Sequence, residues 1–448
     1  MTVHPTSVLT ENVPRYTSYP TAPHFHAGIG EAQVKSWISQ LRPDEAVSLY
    51  VHVPFCDKLC WFCACHTKHT RHYEPVRDFL VALHEEIRQV AALLPDGVRV
   101  GAMHFGGGSP TMLRPQDYIH LVGMIRSSFF VERDFSLSVE IDPNDMDDAK
   151  LDALAAAGLT RASLGVQDFD PKVQTAINRL QSFELTKKVV EGVRSRGVAS
   201  VNLDLLYGLP HQTEESVSDT VRQALSLRPD RIALFGYAHV PWFKKHQTMI
   251  DEAWLPDAQQ RFAQSRTASA AIVEAGYQPI GIDHFALPGD SLAMAASEGR
   301  LRRNFQGYTD DSCETLIGLG PSSISRFREG YAQNTVATGT YSDTVLSGSL
   351  PVSRGIELGQ EDVAAGWLIE RLMCDFEFSA SELLRHHGTA GQPLLDRARD
   401  LCSAEPGKLI SDNDRFVVPM AHRLLVRSVA AHFDRYVSVG AKRHSPPV

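Results

Sequence analysis

The chain has 448 residues, enough for a large core in one main domain and a smaller second one. Its 43% hydrophobic and 22% charged residues are ordinary for a soluble globular protein, and its formal net charge of −9 argues against non-specific binding to nucleic acids or anionic membranes. Residues 1–10 lack a basic segment followed by an apolar run, and no apolar stretch approaches the roughly 20 residues that cross a bilayer, so we expect a cytoplasmic protein.

The first 45 residues are predicted to form an irregular N-terminal arm. They are rich in proline, threonine and histidine, and residues 13–21 follow neither a helical nor a strand period. The aromatic side chains of residues 13–21 favour packing of the arm against the rest of the protein.

From residue 46 onward, apolar runs alternate with segments of helical period. The runs are rich in valine, leucine and isoleucine, which is typical of parallel strands buried on both faces. The predicted strands are 47–53, 98–105, 136–142, 160–166, 200–207 and 230–238. The predicted helices are 73–94, 114–130, 146–157, 184–197, 213–227 and 258–276. This alternation predicts an α/β fold, a partial (β/α)6 barrel that occupies residues 46–336.

A smaller domain is predicted after the barrel. Residues 337–354 are rich in threonine, serine and glycine, which indicates a linker. Residues 355–448 are mostly helical in pattern with a hairpin at 409–418, and they predict a winged-helix-like C-terminal domain. That domain has 11 Lys and Arg against 13 Asp and Glu, so its charge does not favour nucleic-acid binding.

Four of the seven cysteines lie in one loop directly after the first predicted strand, at Cys56, Cys60, Cys63 and Cys65. In a cytosolic protein this density favours metal binding over disulfides. Three thiolates at such spacing can hold three irons of a cubane cluster, which leaves the fourth iron for a small molecule with an amino group and a carboxylate. A structural zinc site is the alternative, because three histidines lie between residues 66 and 72.

Polar or glycine-rich residues stand at the ends of the predicted strands. The carboxyl ends of barrel strands meet at one edge, where this architecture places its chemistry. Beyond the cysteine loop, these residues are 106–109, Glu140, Asp142, Gln167, Asp168, Asp204 and 237–239. The sequence therefore predicts an active site at this edge.

Taken together, these features resemble the radical S-adenosylmethionine (SAM) enzymes, most closely the family of oxygen-independent coproporphyrinogen III oxidases. The resemblance extends from residues 15–21 to residues 433–436. Its motifs are residues 50–65, 106–111, 165–169, 178–181, 204–210, 237–239 and 303–309.

The resemblance implies roles for the site residues. Cys56, Cys60 and Cys63 would hold a 4Fe–4S cluster whose fourth iron is chelated by SAM. The positions matching this first SAM are Tyr50, Gly107 and Glu140, with Ile324 nearby. The positions matching a second SAM are Phe62, Gly108, Ser109, Gln167, Arg179, Asp204 and Ala238. Tyr50 and Cys65 are the catalytic candidates, and Cys65 is not expected to bind iron because a fourth thiolate would close the cluster to SAM.

The resemblance also implies the reaction. A 5′-deoxyadenosyl radical would remove a hydrogen from a propionate of coproporphyrinogen III, and loss of carbon dioxide and one electron would leave a vinyl group. Two such steps give protoporphyrinogen IX in haem biosynthesis. A flavodoxin- or ferredoxin-like protein would supply electrons to the enzyme, which we expect to be monomeric. A haem-binding chaperone of the same superfamily is the alternative, although such chaperones usually lack the N-terminal arm and a cysteine at the place of Cys65.

A substrate with four carboxylates requires cations in its binding site. The candidates are Arg15, His284, Arg302, Arg303 and Arg326. The sequence does not rank them.

Overall fold

The computed structural model describes residues 13–437. Two ranges lie outside the described residues, 1–12 and 438–448. The first belongs to the predicted arm and includes the segment in which we expect no signal peptide. Within residues 13–437, no helix is long and apolar enough to cross a membrane.

The central strands lie close to the predicted ones. The first eight strands are β1 (Ala46–Val53), β2 (Phe55–Cys56), β3 (Lys68–His69), β4 (Arg99–Gly107), β5 (Phe130–Ile141), β6 (Arg161–Gln167), β7 (Ser200–Tyr207) and β8 (Arg231–Gly236). β1 and β4–β8 are parallel neighbours in the order β1-β4-β5-β6-β7-β8. The prediction of a partial (β/α)6 barrel is confirmed.

The helices between these strands form the outer layer of the barrel. They are Glu74–Leu93, Pro115–Ser128, Asp148–Ala156, Pro171–Ala176, Phe183–Ser195, Glu214–Ser226 and Ala258–Glu274. Glu214–Ser226 shows why these segments are helical: the side chains of Thr213 and Ser216 each accept the other residue's backbone N–H at the first turn. Val217, Val221 and Ala224 then fall on one buried face.

The sheet continues beyond both edges of the barrel. The strands concerned are β9 (Gln278–Ile280), β10 (His284–Ala286), β11 (Arg302–Asn304), β12 (Gly307–Thr309), β13 (Thr315–Leu319), β14 (Ile324–Arg326), β15 (Gly330–Asn334) and β16 (Val352–Glu357). β13–β16 extend the sheet next to β1, β10 and β9 extend it next to β8, and β11 and β12 form a separate hairpin. A short helix, Ser291–Ser297, lies between β10 and β11.

The prediction of a linker at residues 337–354 is wrong. The segment forms the helix Thr338–Leu346 and then enters β16, which pairs with β15 in the main sheet. Tyr341 and Val345, four residues apart, are buried on one face of that helix. The serine, threonine and glycine residues that suggested a linker lie mostly outside the buried face of the helix. Two apolar side chains four residues apart are enough to pack the helix against the protein.

The prediction of an irregular arm is also wrong for part of its length. Glu31–Ser39 is a helix whose Val34, Trp37 and Ile38 are buried. Their spacing of three and four residues is the helical period, and it was present in the sequence. Residues 13–21 contain neither helix nor strand, as predicted.

The C-terminal region has its own core. Its helices are Gln360–Asp375, Ala380–His387, Gln392–Ala404 and Val426–Ala431, and its strands are β17 (Glu377–Ser379), β18 (Ile410–Asp412) and β19 (Arg415–Val417). β18 and β19 form the predicted hairpin, with Asn413 at φ +54° in the turn. Tyr16 and Tyr19 of the arm pack into this core, so the arm ties the C-terminal region to the barrel.

Candidate active site

Three of the loop cysteines each have a hydrogen-bond donor at the sulfur atom. The hydroxyl of Thr67 lies 3.1 Å from Cys56 Sγ, and Nη1 of Arg179 lies 3.5 Å from Cys60 Sγ. The sulfur of Cys63 accepts the backbone N–H two residues further on, at 3.4 Å. Donors of this kind stabilise thiolates and tune the potential of iron–sulfur clusters. The donor set therefore fits the predicted 4Fe–4S cluster.

Two amide side chains hold the cysteine loop in place. Asn178, at φ +55°, donates from Nδ2 to the carbonyl of Leu59 at 2.9 Å. Gln247 donates from Nε2 to the carbonyls of Phe62, at 2.9 Å, and Ala238, at 3.1 Å. Gln247 thus joins two predicted cofactor-binding positions, and sequence reasoning missed it because no motif marks it.

Cys65 differs from the other three cysteines of the loop. It is exposed, and its thiol hydrogen-bonds to the sulfur of Cys63. That bond lowers the pKa of Cys63 and raises the pKa of Cys65. Cys63 is therefore the better thiolate of the two, as its predicted role as a ligand requires. Among residues 13–437, no three His, Cys, Asp or Glu side chains converge on the position of a single metal ion, whereas a cubane cluster takes only one thiolate on each iron.

The glycine run at the end of β4 lets a carboxylate approach the backbone. The N–H of Gly107, at φ +115°, donates to Oε2 of Glu140 at 3.1 Å, and a Cβ on Gly106 would lie 2.7 Å from the same carboxylate. Nε2 of His104 lies 3.2 Å from Oε1. Partial desolvation raises the pKa of Glu140, but the hydrogen bonds from His104 and Gly107 outweigh it and hold the pKa below its usual value. Its side chain is 41% exposed, so an ionised carboxylate remains accessible to a ligand.

Tyr50 belongs to a chain of rings that sequence reasoning missed. The β1–β4 register pairs Tyr50 with His104, and the rings stack with centroids 5.8 Å apart. The hydroxyl of Tyr50 lies 3.1 Å from Nδ1 of His52, whose Nε2 lies 2.8 Å from the carbonyl of His66. Because Nε2 faces a carbonyl, it carries the proton and Nδ1 accepts from Tyr50. Burial lowers the pKa of His52 to about 4, so the ring stays neutral.

Arg179 connects the cysteine loop to two strand ends. Its guanidinium pairs with Asp142 at 2.9 Å and donates to the carbonyl of Gly165 at 2.7 Å and to Oε1 of Gln181 at 3.1 Å. Its buried Nε has no partner among the described residues. The predicted cation is thus present, and much of its charge is already neutralised by Asp142.

The other predicted carboxylate, Asp204 on β7, is half-buried in a polar cluster. Ser163 donates to its Oδ2 at 3.2 Å and Asn202 to its Oδ1 at 2.7 Å. Burial, with Glu140 nearby, raises the pKa of Asp204 to about 6. Gln167 ends β6 at φ +68°, a conformation that turns the chain at the strand end.

Two predicted positions have contacts that the sequence did not indicate. The hydroxyl of Ser109 is buried and donates to Asp145 at 2.5 Å. It therefore holds a neighbouring loop, and its hydroxyl is occupied by a carboxylate. Ile324 lies at the start of β14, packed near Phe305 and Tyr331.

The candidate substrate cations have different surroundings. Arg302 is ion-paired with Glu370 at 3.0 Å, and Arg15 donates to the carbonyl of Gly236 at 3.1 Å. His284 is bonded to its neighbour in sequence through Nδ1. Arg303 is buried, and its Nη1 has no partner among the described residues. It lines a cavity of about 630 Å³ together with Arg302 and Arg326.

Comparison with known proteins identifies the family. Residues 50–224 match the model of the radical SAM superfamily. The chain is 48% identical to the oxygen-independent coproporphyrinogen III oxidase of Paracoccus denitrificans over 97% of this chain and 96% of the relative. It is 38% identical to that of Pseudomonas aeruginosa over 96% and 95%. Its structure is similar to that of a radical SAM enzyme, coproporphyrinogen III oxidase from Escherichia coli, with 36% identity, a TM-score of 0.90, and 95% of this chain and 100% of that one covered.

Radical SAM enzymes use a 4Fe–4S cluster and SAM, and these are the cofactors of this protein. The zinc alternative is set aside for that reason. From the match over almost its entire length, the chain belongs to the oxygen-independent coproporphyrinogen III oxidase family of radical SAM enzymes.

Proposed function

We propose that this protein converts coproporphyrinogen III to protoporphyrinogen IX by oxidative decarboxylation of two propionate side chains without oxygen. The observation that carries the proposal is that three thiols with hydrogen-bond donors at their sulfur atoms lie at the same strand edge as Glu140 and Gly107. The chain also aligns with a named oxidase over 97% of its length. The haem-binding chaperone has no support among the relatives described above, which carry the oxidase name.

When bound, the cluster and SAM would supply a 5′-deoxyadenosyl radical for hydrogen abstraction from a substrate propionate. Cys56, Cys60 and Cys63 would hold the cluster through their thiolates. Glu140 accepts a hydrogen bond from the backbone N–H of Gly107, and its accessible carboxylate would accept hydrogen bonds from SAM. Tyr50, held by the neutral ring of His52, forms one wall of this site.

The remaining predicted positions form a second SAM site. Its members are Phe62, Gly108, Ser109, Gln167, Arg179, Asp204 and Ala238, and Ile324 borders the first site. Arg179 and Asp204 contribute charge and an acceptor, whereas Ser109 acts through its backbone because its hydroxyl is bonded to Asp145.

Arg303 is the substrate cation that the geometry supports best. Its Nη1 is buried and without a partner among the described residues, and such a donor is costly unless a ligand satisfies it. A propionate carboxylate would accept from it, and Arg303 lines a small pocket at the end of β8 together with Arg15, Tyr207 and Gly236.

The remaining partners follow from the chemistry. We expect a monomer in the cytoplasm, where thiols stay reduced, that takes electrons from a flavodoxin- or ferredoxin-like protein. Neither nucleic acid nor a membrane is needed for this reaction.

The test is anaerobic reconstitution with iron and sulfide, followed by incubation with SAM, a chemical reductant and coproporphyrinogen III. We expect protein-bound iron and sulfide in equal amounts, 5′-deoxyadenosine, and a porphyrin product with two vinyl groups. Stoichiometric zinc without sulfide, or SAM cleavage without vinyl product, would refute the proposal.

A further inference from the structure

A segment that follows β8 lies directly on the cysteine loop. His246 Nε2 lies 2.7 Å from the carbonyl of Cys63, and Lys244 Nζ lies 3.0 Å from the carbonyl of Cys65. Residues 239–250 therefore form the protein surface next to the cluster ligands, and a molecule that binds this segment lies close to the cluster.

The tip of this segment exposes two large aromatic side chains. Trp242 is 67% exposed and Phe243 is 74% exposed, and the ammonium of Lys244 lies 5.3 Å from the centroid of the Phe243 ring. Exposed aromatic side chains are enriched at protein–protein interfaces, because removing their apolar surface from water on binding is favourable. Gln247 in the same segment is fully buried and donates a hydrogen bond to the carbonyl of Phe62. This contact fixes the position of the segment that carries the two rings.

The cysteine loop and the segment beside it carry more cations than carboxylates, although the whole chain has a net charge of −9 and Glu252 lies 2.9 Å from Nε2 of His239. Residues 56–72 and 239–250 together contain five Lys and Arg side chains and one carboxylate, Asp57. Lys58 and Arg71 line an open groove of about 690 Å³ along the outer side of the loop, and Lys245 is exposed beside Phe243. A cationic surface on an anionic protein is complementary to an acidic partner.

We propose that Trp242, Phe243, Lys58, Arg71 and Lys245, here called the loop-side patch, are the docking site of a small acidic one-electron carrier protein. The inference rests on the proposed function, because it assumes a cluster that must be reduced. In the complex, one electron leaves the flavin hydroquinone of the carrier, which becomes the semiquinone, and the oxidised cluster becomes reduced by one electron. The aromatic pair supplies apolar contact, and the cations orient the acidic partner over the loop.

The primary test measures binding. The reconstituted enzyme is titrated anaerobically with a purified bacterial flavodoxin in a calorimeter. The affinity should weaken as the salt concentration is raised from 50 to 300 mM, because the Debye length falls from roughly 14 to 6 Å over this range. Lys58→Glu combined with Lys245→Glu, and separately Phe243→Ser, should each weaken binding by about tenfold. The matched control is Lys187→Glu, an exposed cation on the outer helix Phe183–Ser195, which should leave the affinity unchanged.

A second measurement separates docking from other roles of the patch. Turnover driven by flavodoxin should fall in the patch variants, whereas turnover driven by dithionite should equal that of the unaltered enzyme. Unchanged flavodoxin affinity in both patch variants would overturn the inference. An equal loss of dithionite-driven turnover would also overturn it, since the patch would then serve substrate or SAM. Failure of the proposed function itself looks different, because the unaltered enzyme would form no vinyl product with either reductant.

Discussion

At the scale of single residues, Glu140 is the carboxylate on which SAM binding should depend most. We predict that Glu140→Ala retains the cluster and weakens SAM binding by roughly 10- to 150-fold, which corresponds to about 1.5–3 kcal/mol for a lost hydrogen bond to a charged group. Calorimetry with SAM on the reconstituted variant measures the effect. Glu140→Gln is the control, because its amide oxygen still accepts from Gly107 and should recover part of the affinity. Unchanged SAM affinity in Glu140→Ala would show that this side chain has only a structural role.

Cys65 should be required for turnover and dispensable for the cluster. Its exposed thiol lies next to Cys63, where it can contact substrate without binding iron. We predict that Cys65→Ala keeps its iron and sulfide content and its reducibility while forming no vinyl product. Iron analysis and product chromatography on one sample decide the matter. Loss of iron would make Cys65 a ligand, and normal product formation would make it a bystander.

At the scale of secondary-structure elements, Glu86 joins three parts of the barrel wall. From the helix Glu74–Leu93, it accepts hydrogen bonds from the N–H of Gly320, the amide of Asn334 and the hydroxyl of Tyr341, at 2.6–2.7 Å. Burial raises its pKa to about 7. The unfolded chain therefore loses this proton first, and the free energy of unfolding contributed by Glu86 falls as pH rises from about 4.5 to about 7.

Glu86→Gln should remove that pH dependence, because glutamine does not titrate. We predict that the free energy of unfolding of the variant, relative to that of the unaltered protein, rises by up to about 3 kcal/mol between pH 5 and pH 8. Urea unfolding at both pH values checks this. The same pH dependence in the two proteins would show that Glu86 is ionised throughout this range.

At the scale of the whole molecule, the arm connects the barrel and the C-terminal region. Arg427 donates to the carbonyls of Val13 and Pro14, and Arg303 donates to the carbonyls of Arg15 and Tyr16. Arg15 in turn reaches the carbonyl at the end of β8. From these contacts we predict that residues 13–21 close the open end of the barrel over the substrate.

Deleting residues 1–21 should abolish decarboxylation and leave the absorption spectrum of the cluster intact. It should also lower the melting temperature, because Tyr16 and Tyr19 leave the C-terminal core. Tyr16→Phe is the control: it removes only the hydroxyl bond to Asp434, at 3.1 Å, and should retain most of the turnover. Full activity in the truncated protein would show that the arm plays no part in sealing the site.

The sequence by itself determined the features that depend on local spacing. The cysteine pattern is confined to ten residues, and six apolar runs with the alternation of helical segments were enough to predict the barrel. Its carboxyl edge then brought Gly107 and Glu140 together, because β4 and β5 are neighbours in register. The linker and part of the arm were assigned wrongly because the assignments rested on the composition of whole segments. Each segment contains a helix with one buried apolar face, which its overall composition does not reveal.

Only the tertiary structure decided the contacts between residues far apart in the chain. The stacking of Tyr50 on His104 depends on the register of two strands, and the bonds of Gln247 to Phe62 join residues 185 positions apart. The pairing of Arg179 with Asp142 and the exposure of Trp242 depend in the same way on how distant segments meet. No local pattern encodes these contacts, because each depends on the summed packing of the whole sheet.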